Sequence, residues 1–437
     1  MKRKHLFRMM CLLLIGVLAL QLAGCATTEP AASSENPAPE TVAQTPADPD
    51  VHVVNLMNQV VPNRGEAGAV DPAAAAAAAD FALRLFRAAN ESEKNTLISP
   101  LSVLSALAMT ANGAEGETLE QMERTLGLRR ELLNAYFLAY MKALSGDDAL
   151  KLANSIWFTA DPRFAVNRSF LQTNADFYGA DVFQAPFDGE TLEALNNWVK
   201  EKTDGMIPQI LEELSPDAVM YLVNALAFES KWLSPYEQFS VLPGDFTCAD
   251  GTKKTVDFMH GEEHQYLEDD KAVGFIKPFE NGKYAFVALL PKDGVSPEDY
   301  LASLDGAALQ ALLSGATQDT VFTSLPKFET AYSIELSGVL KGMGMELPFD
   351  AAGADFSGLG TAGGNIYISR VLHKTFISVN EAGTRAGAAT VVEMTEGAML
   401  VEDPKEVYLD HPFVYMLIDT ETNLPFFIGT MLDPAQA

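Results

Sequence analysis

The alternation of apolar and polar residues begins in earnest at Pro72. Residues 73–90 are alanine-rich and set Phe81, Leu85 and Phe86 in a stripe at helical spacing, which predicts an amphipathic helix. At 99–113, Ser99 is a good N-cap and Pro100 suits the first helical position. Val103, Leu104, Leu107 and Ala108 then recur at helical spacing until Gly113. Further helices are predicted over 119–126 (stopped by Gly127), 130–143, 191–203 (stopped by Gly205) and 333–341. Strands are predicted at 152–158, 219–228, 255–259, 284–290, 321–326 and 375–380. A final pair, 414–418 and 426–431, is joined by a turn at 419–423. Helices cluster early and strands late without alternating, so the class is α+β with mainly antiparallel sheets.

The first 70 residues have a different texture. Residues 1–25 combine a basic start (Lys2, Arg3, Lys4, Arg8), an apolar run and Leu22-Ala23-Gly24-Cys25, the pattern of a signal peptide with its processing site. The last four residues resemble the bacterial lipobox. That resemblance implies cleavage before Cys25, its acylation and a lipid anchor on the extracytoplasmic face of the bacterial cell membrane. Residues 26–70 are rich in Ala, Pro, Thr and Ser and read as a tether, although the more apolar 51–61 could dock on the domain beyond it. The folded part is 71–437, and length alone suggests two or three domains.

Charge removes several classes of function. The whole chain carries 30 Lys+Arg against 59 Asp+Glu, a net charge of −29. Without the four leader cations the balance is 26 to 59, or −33. Phosphate neutralisation needs a basic surface, so nucleic acid is excluded as a partner. Cysteine sets another bound. Of Cys11, Cys25 and Cys248, only Cys248 belongs to the domain, which excludes an internal disulfide and a CxxC zinc site.

The chain has no GxSxG elbow, no Walker loop and no HExxH. His260-Gly-Glu-Glu263-His264 matches HxxEH, but zinc chemistry requires that pattern on a helix. Here it follows a strand and contains a glycine, so a hairpin connection is expected and no metal. His373 and His411 lie in apolar stretches and read as buried, hydrogen-bonded histidines, and Trp198 and Trp232 as core. No cofactor is expected.

Residues 382–405 are unusual: 24 residues between two strand patterns without a turn dipeptide. The first half is nearly all small. With period two, one face is Thr384, Ala386, Ala388, Thr390 and Val392, and the other is Arg385, Gly387, Ala389, Val391 and Glu393. The charges fall on one face and the small residues on the other, a strand pattern where a loop is expected.

Four blocks from about residue 80 onwards together resemble the serpin family. They are Asn95-Thr-Leu-Ile-Ser99-Pro100-Leu-Ser102-Val103 with Gly113-Ala-Glu-Gly116-Glu-Thr118, then Tyr221-Leu-Val-Asn224-Ala-Leu-Ala-Phe228-Glu-Ser-Lys-Trp232. Pro348-Phe349-Asp350 with Ala354-Asp355-Phe356-Ser357-Gly358 is the third. The last runs from Val371-Leu-His373-Lys through Asn380-Glu381-Ala-Gly383-Thr384 to Leu409-Asp410-His411-Pro412-Phe413. The resemblance implies one domain of three β-sheets and about nine helices with an exposed reactive-centre loop. It also implies no enzyme activity, but inhibition of a serine protease by covalent suicide trapping: the cleaved loop inserts into the central sheet as an extra strand. The other reading is a non-inhibitory serpin-fold binding protein whose loop is only a substrate.

Residue by residue, the resemblance makes Glu381, Gly383 and Thr384 the hinge, continued by Arg385, Ala386, Gly387, Ala388, Ala389 and Thr390. Ser99, Ser102, Asn224 and His373 become the polar cluster where strands must part, and Trp232 marks the top of the sheet. Family spacing puts the scissile bond at Gly397–Ala398, with Glu396 and Met399 as alternatives. Ala382 and Arg385 depart from the usual charged and acidic residues. Ala398-Met399-Leu400 suits an elastase-like or subtilisin-like target, Glu396 a glutamyl endopeptidase, and a papain-like cysteine protease is a further candidate. The inhibitor is expected to be a monomer.

Overall fold

The computed structural model of the protein describes residues 52–384 and 404–435, apart from Ser92, Pro162 and Pro216. Residues 1–51, with Cys25, and residues 385–403 therefore lie outside the described residues. Nine α-helices and three sheets make up the described part. The helix Pro72–Ala89 starts where Asp71 accepts a hydrogen bond from the Ala73 amide at 2.9 Å and Pro72 takes the first position. In Pro100–Ala111 the Ser99 hydroxyl oxygen accepts from the Ser102 amide, and every residue of the helix is buried. Gly127 closes Gly116–Leu126 in the left-handed region, at φ 79°, where a side chain would be strained.

The central sheet has eight strands. From one edge they run Val54–Asn55, Asp181–Ala185, Leu150–Thr159, Met220–Phe228 and Arg370–Asn380, with Phe328–Glu335 on the far side of the last. Two short strands, Gly383–Thr384 and Ser230–Lys231, complete its upper end. A nine-stranded sheet runs from Lys405–Tyr408 through Thr317–Pro326, Lys253–Glu268, Ala272–Pro278, Tyr284–Pro291, Phe413–Asp419 and Leu424–Met431 to Thr96–Ile98, with Val241–Thr247 beside Lys253–Glu268. Ala165–Val166 and Gly360–Thr361 form the third sheet. Pairing is mainly antiparallel, as the pattern of late strands implied.

Four expectations need correcting. His260 to His264 is no hairpin but the middle of the 16-residue strand Lys253–Glu268. Gly261 looks like a turn residue in the sequence, yet it is a packing gap: a Cβ there would meet the Tyr236 ring at 2.8 Å. On a strand the HxxEH residues separate, with His260 and His264 exposed and Glu263 buried on the opposite face. The helix expected over 333–341 begins only at Ser337, because the strand Phe328–Glu335 pairs with Arg370–Asn380 to its last residue.

The third correction concerns the stretch assigned to the tether. Val54–Asn55 pairs with Asp181–Ala185, Leu56, Met57 and Val60 pack against the core, and the Asn63 amide donates to Asp176 at 2.6 Å. These apolar residues cover an edge that would otherwise expose unpaired backbone groups. The fourth concerns His411, whose side chain is 42% exposed and bonded to Asp410 rather than buried.

Candidate functional site

The seam between Met220–Phe228 and Arg370–Asn380 organises the site. The two strands run parallel and pair from Arg370 with Tyr221 up to Lys374 with Ala225, and there the pairing stops. Above that point the strands are parted. Strand alternation turns Val371, His373, Thr375, Ile377 and Val379 inward, towards the buried helix Pro100–Ala111.

At the closed end, the structure brings Ser99, Ser102, Asn224 and His373 together in one buried cluster. The Ser99 amide donates to His373 Nε2 at 3.0 Å, so that nitrogen is unprotonated and Nδ1 carries the hydrogen. Nδ1 lies 2.8 Å from Asn224 Oδ1, which also accepts from the Ser102 hydroxyl at 3.1 Å. Full burial holds the imidazole neutral and takes its pKa down to about 3. Asn154 faces Asn224 across the neighbouring strand pair and donates to Ser105 at 2.8 Å, a member of the cluster that the sequence pattern did not single out. A second Asn in a strand otherwise rich in apolar residues was the available signal.

At the open end, residues 380–384 fold back onto the sheet. Gly383 and Thr384 form a short antiparallel strand between Val379–Asn380 on one side and Ser230–Lys231 on the other. Thr384 is buried, opposite Val379. Gly383 has φ +155°, and a Cβ on it would meet the Ser230 carbonyl oxygen at 2.2 Å, so only glycine fits there. Trp232 is buried and secures this turn twice: its indole N–H donates to Asn380 O at 2.8 Å and its amide to Ala382 O at 3.0 Å. The Tyr236 amide donates to Glu381 O at 2.9 Å. Lys327 lies 2.7 Å from the Glu381 carboxylate and, by hydrogen bonding and charge, holds its pKa below the usual range. Arg385 to Thr390, Glu396, Gly397, Ala398 and Met399 lie outside the described residues.

The site thus consists of two large sheets, a seam parted from above, and a turn that places a short strand inside the gap. The chain belongs to the serpin family: the family model described as Serpin (serine protease inhibitor) matches residues 76–434. An uncharacterized serpin-like protein of Thermococcus kodakarensis is 32% identical over 97% of this chain and 98% of its own length. Leukocyte elastase inhibitor A of Mus musculus is 30% identical over 81% of this chain and 97% of its own. Among solved structures, a thermophilic serpin, Tengpin, in the native state has a TM-score of 0.84 at 45% identity, covering 88% of this chain and all of that one. A thyroxine-binding globulin complexed with thyroxine shares the fold at 23% identity and a TM-score of 0.72.

Proposed function

We propose that the protein traps a serine protease covalently. The observation that carries this reading is the strand Gly383–Thr384, already seated in the parted upper seam. A target protease treats residues 385–403 as substrate. Its serine oxygen bonds to the Gly397 carbonyl carbon, the Gly397–Ala398 C–N bond breaks, and the freed Ala398 amine takes the proton. Glu396 and Met399 are the alternative reactive residues. The severed segment then continues the strand that Thr384 begins, carrying the acylated protease with it before water can complete hydrolysis.

The register supports the inserted strand. Val379 pairs with Thr384, so continuing the antiparallel ladder sets Ala386 opposite Ile377, Ala388 opposite Thr375, Thr390 opposite His373 and Val392 opposite Val371. Every inward position then carries a small or β-branched residue. Arg385 falls on the outward face, next to the buried Thr384, so its charge does not oppose insertion. This alternation favours inhibition over a loop that is merely cleaved.

The small or medium apolar residues at Ala398, Met399 and Leu400 suit an elastase-like or subtilisin-like enzyme. Acylation at Cys25 tethers the inhibitor to the outer face of the cell membrane, a reading tested by Cys25→Ser, which should release the protein into the medium. For inhibition, the protein is mixed with elastase, subtilisin, a glutamyl endopeptidase and papain. A complex that survives boiling in SDS is expected with at least one, and mass spectrometry of the trapped peptide identifies the bond. Cleavage by all of them without any complex overturns the proposal.

A further inference from the structure

Beneath the open end of the seam lies an ion pair that the mechanism above does not use. Lys277 Nζ is 2.5 Å from Glu263 Oε1, with only 3% and 7% of the two side chains exposed. Burial pushes the Glu263 carboxyl up and the Lys277 ammonium down from their ordinary values, and each partner's charge opposes that push. A pair so deeply desolvated adds little to stability compared with apolar residues of the same size. Its geometry points elsewhere.

The same ammonium donates to Ser234 O at 2.9 Å. It also lies 4.2 Å from the centre of the Tyr236 ring and 5.4 Å from that of Trp232. It therefore grips one short segment, residues 230–236, at three points. That segment supplies the donors that hold the turn 380–384: the Trp232 amide and indole and the Tyr236 amide. On its other side the segment is bonded to the end of the strand carrying Lys277, through Leu233 N to Pro278 O and Glu280 N to Lys231 O. Trp232 also stacks on Phe279 at 4.6 Å.

We propose that Lys277, oriented by Glu263, is a positioning residue for strand insertion: it fixes residues 230–236 so that Gly383–Thr384 stays seated as the first rung of the incoming strand. Insertion then extends an existing ladder and does not have to start one. This inference rests on the trapping mechanism proposed above. Without the pair the first rung is lost more often. The acylated protease then has longer to hydrolyse, and more inhibitor is consumed as substrate.

The test uses the full chain with Glu263→Leu and Lys277→Met together, which removes both charges and leaves no unpaired one buried. With whichever protease the wild type traps, the moles of inhibitor consumed per mole of protease inactivated should rise about tenfold, the effect of about 1.4 kcal/mol on competing rates. The rate at which the loop is first cleaved should stay unchanged, whereas general destabilisation would move both. Lys277→Arg, which keeps the cation, should retain the wild-type ratio. Hydrogen exchange without protease gives a second readout: the amides of Ala382, Gly383 and Thr384 should exchange faster in the double variant. Unchanged exchange and an unchanged ratio overturn the proposal. If the wild type traps no protease, the trapping mechanism fails, while the exchange result still decides whether Lys277 seats the rung.

Discussion

His373 Nδ1 lies 2.8 Å from Asn224 Oδ1, one rung below the point where the two central strands part. Both nitrogens of this imidazole are engaged and neither has room for a second proton, because Nε2 accepts from the Ser99 amide. The folded pKa of about 3 is below the ordinary value of about 6.5. Above pH 6.5 both folded and unfolded states hold a neutral ring, and there is no penalty. Between about 6.5 and 3 the unfolded chain takes up a proton that the folded state refuses, so stability falls as the pH falls. The slope from this one group approaches about 1.4 kcal/mol per pH unit. Urea midpoints of the wild type and His373→Gln, measured from pH 7.5 to 4.5, should converge as the pH is lowered. Parallel curves would show that the ring is not held neutral.

Gly383→Ala should unseat the first rung, since its Cβ has no space beside the Ser230 carbonyl. The expected result is faster hydrogen exchange at Ala382 to Thr384, with little change at Val371 to Lys374, where pairing with Met220–Phe228 is unaffected. Equal protection in both proteins would mean that the backbone can shift to admit a methyl group.

Thr384→Arg should turn an inhibitor into a substrate. The position is 1% exposed and faces the same inner layer as Val379, so a guanidinium could be accommodated only by leaving the sheet. The measurement is the ratio of SDS-stable complex to cleaved product on a gel. Arg385→Ala, which alters the opposite face of the period-two pattern, should leave that ratio unchanged.

Trp232→Phe keeps most of the stacking on Phe279 but removes the indole donor to Asn380 O. Loss of that hydrogen bond should cost about 0.5–1.5 kcal/mol. The urea midpoint should shift accordingly, and no change would mean that the indole hydrogen bond adds nothing to stability.

The sequence signalled most clearly what local chemistry decides. Ser99 and Pro100 announced a helix start, Gly127 a helix end, and residues 375–380 a strand, and the structure has all three. It was weakest where tertiary packing overrides a local signal. Gly261 looked like a turn because the Tyr236 ring that fills its missing side chain comes from elsewhere in the chain. Ser333 and Ile334 looked helical because their partners, Lys374 and His373, are some 40 residues away in sequence. The Lys277–Glu263 pair had no signature at all: 14 residues separate two ordinary surface residue types, and only the pairing of their strands buries them together. The period-two pattern read over 384–393 falls, beyond Thr384, on residues outside those described.

Thr390→Val separates the two states of the sheet most sharply. If the cleaved loop inserts in the register begun by Val379 and Thr384, Thr390 would stand opposite His373, between that ring and Asn224, which bond directly while the strands are closed at that level. Such insertion would break this bond, and the Thr390 hydroxyl would then replace it. Valine has the same shape and no hydroxyl, so it leaves His373 Nδ1–H and Asn224 Oδ1 one partner short in the inserted form alone. The uncleaved variant should unfold at the wild-type temperature. After cleavage by the protease, the wild type should gain more thermal stability than the variant, by an amount corresponding to about 1–3 kcal/mol. Equal gains would mean that the inserted strand takes a register other than the one begun by Val379 and Thr384.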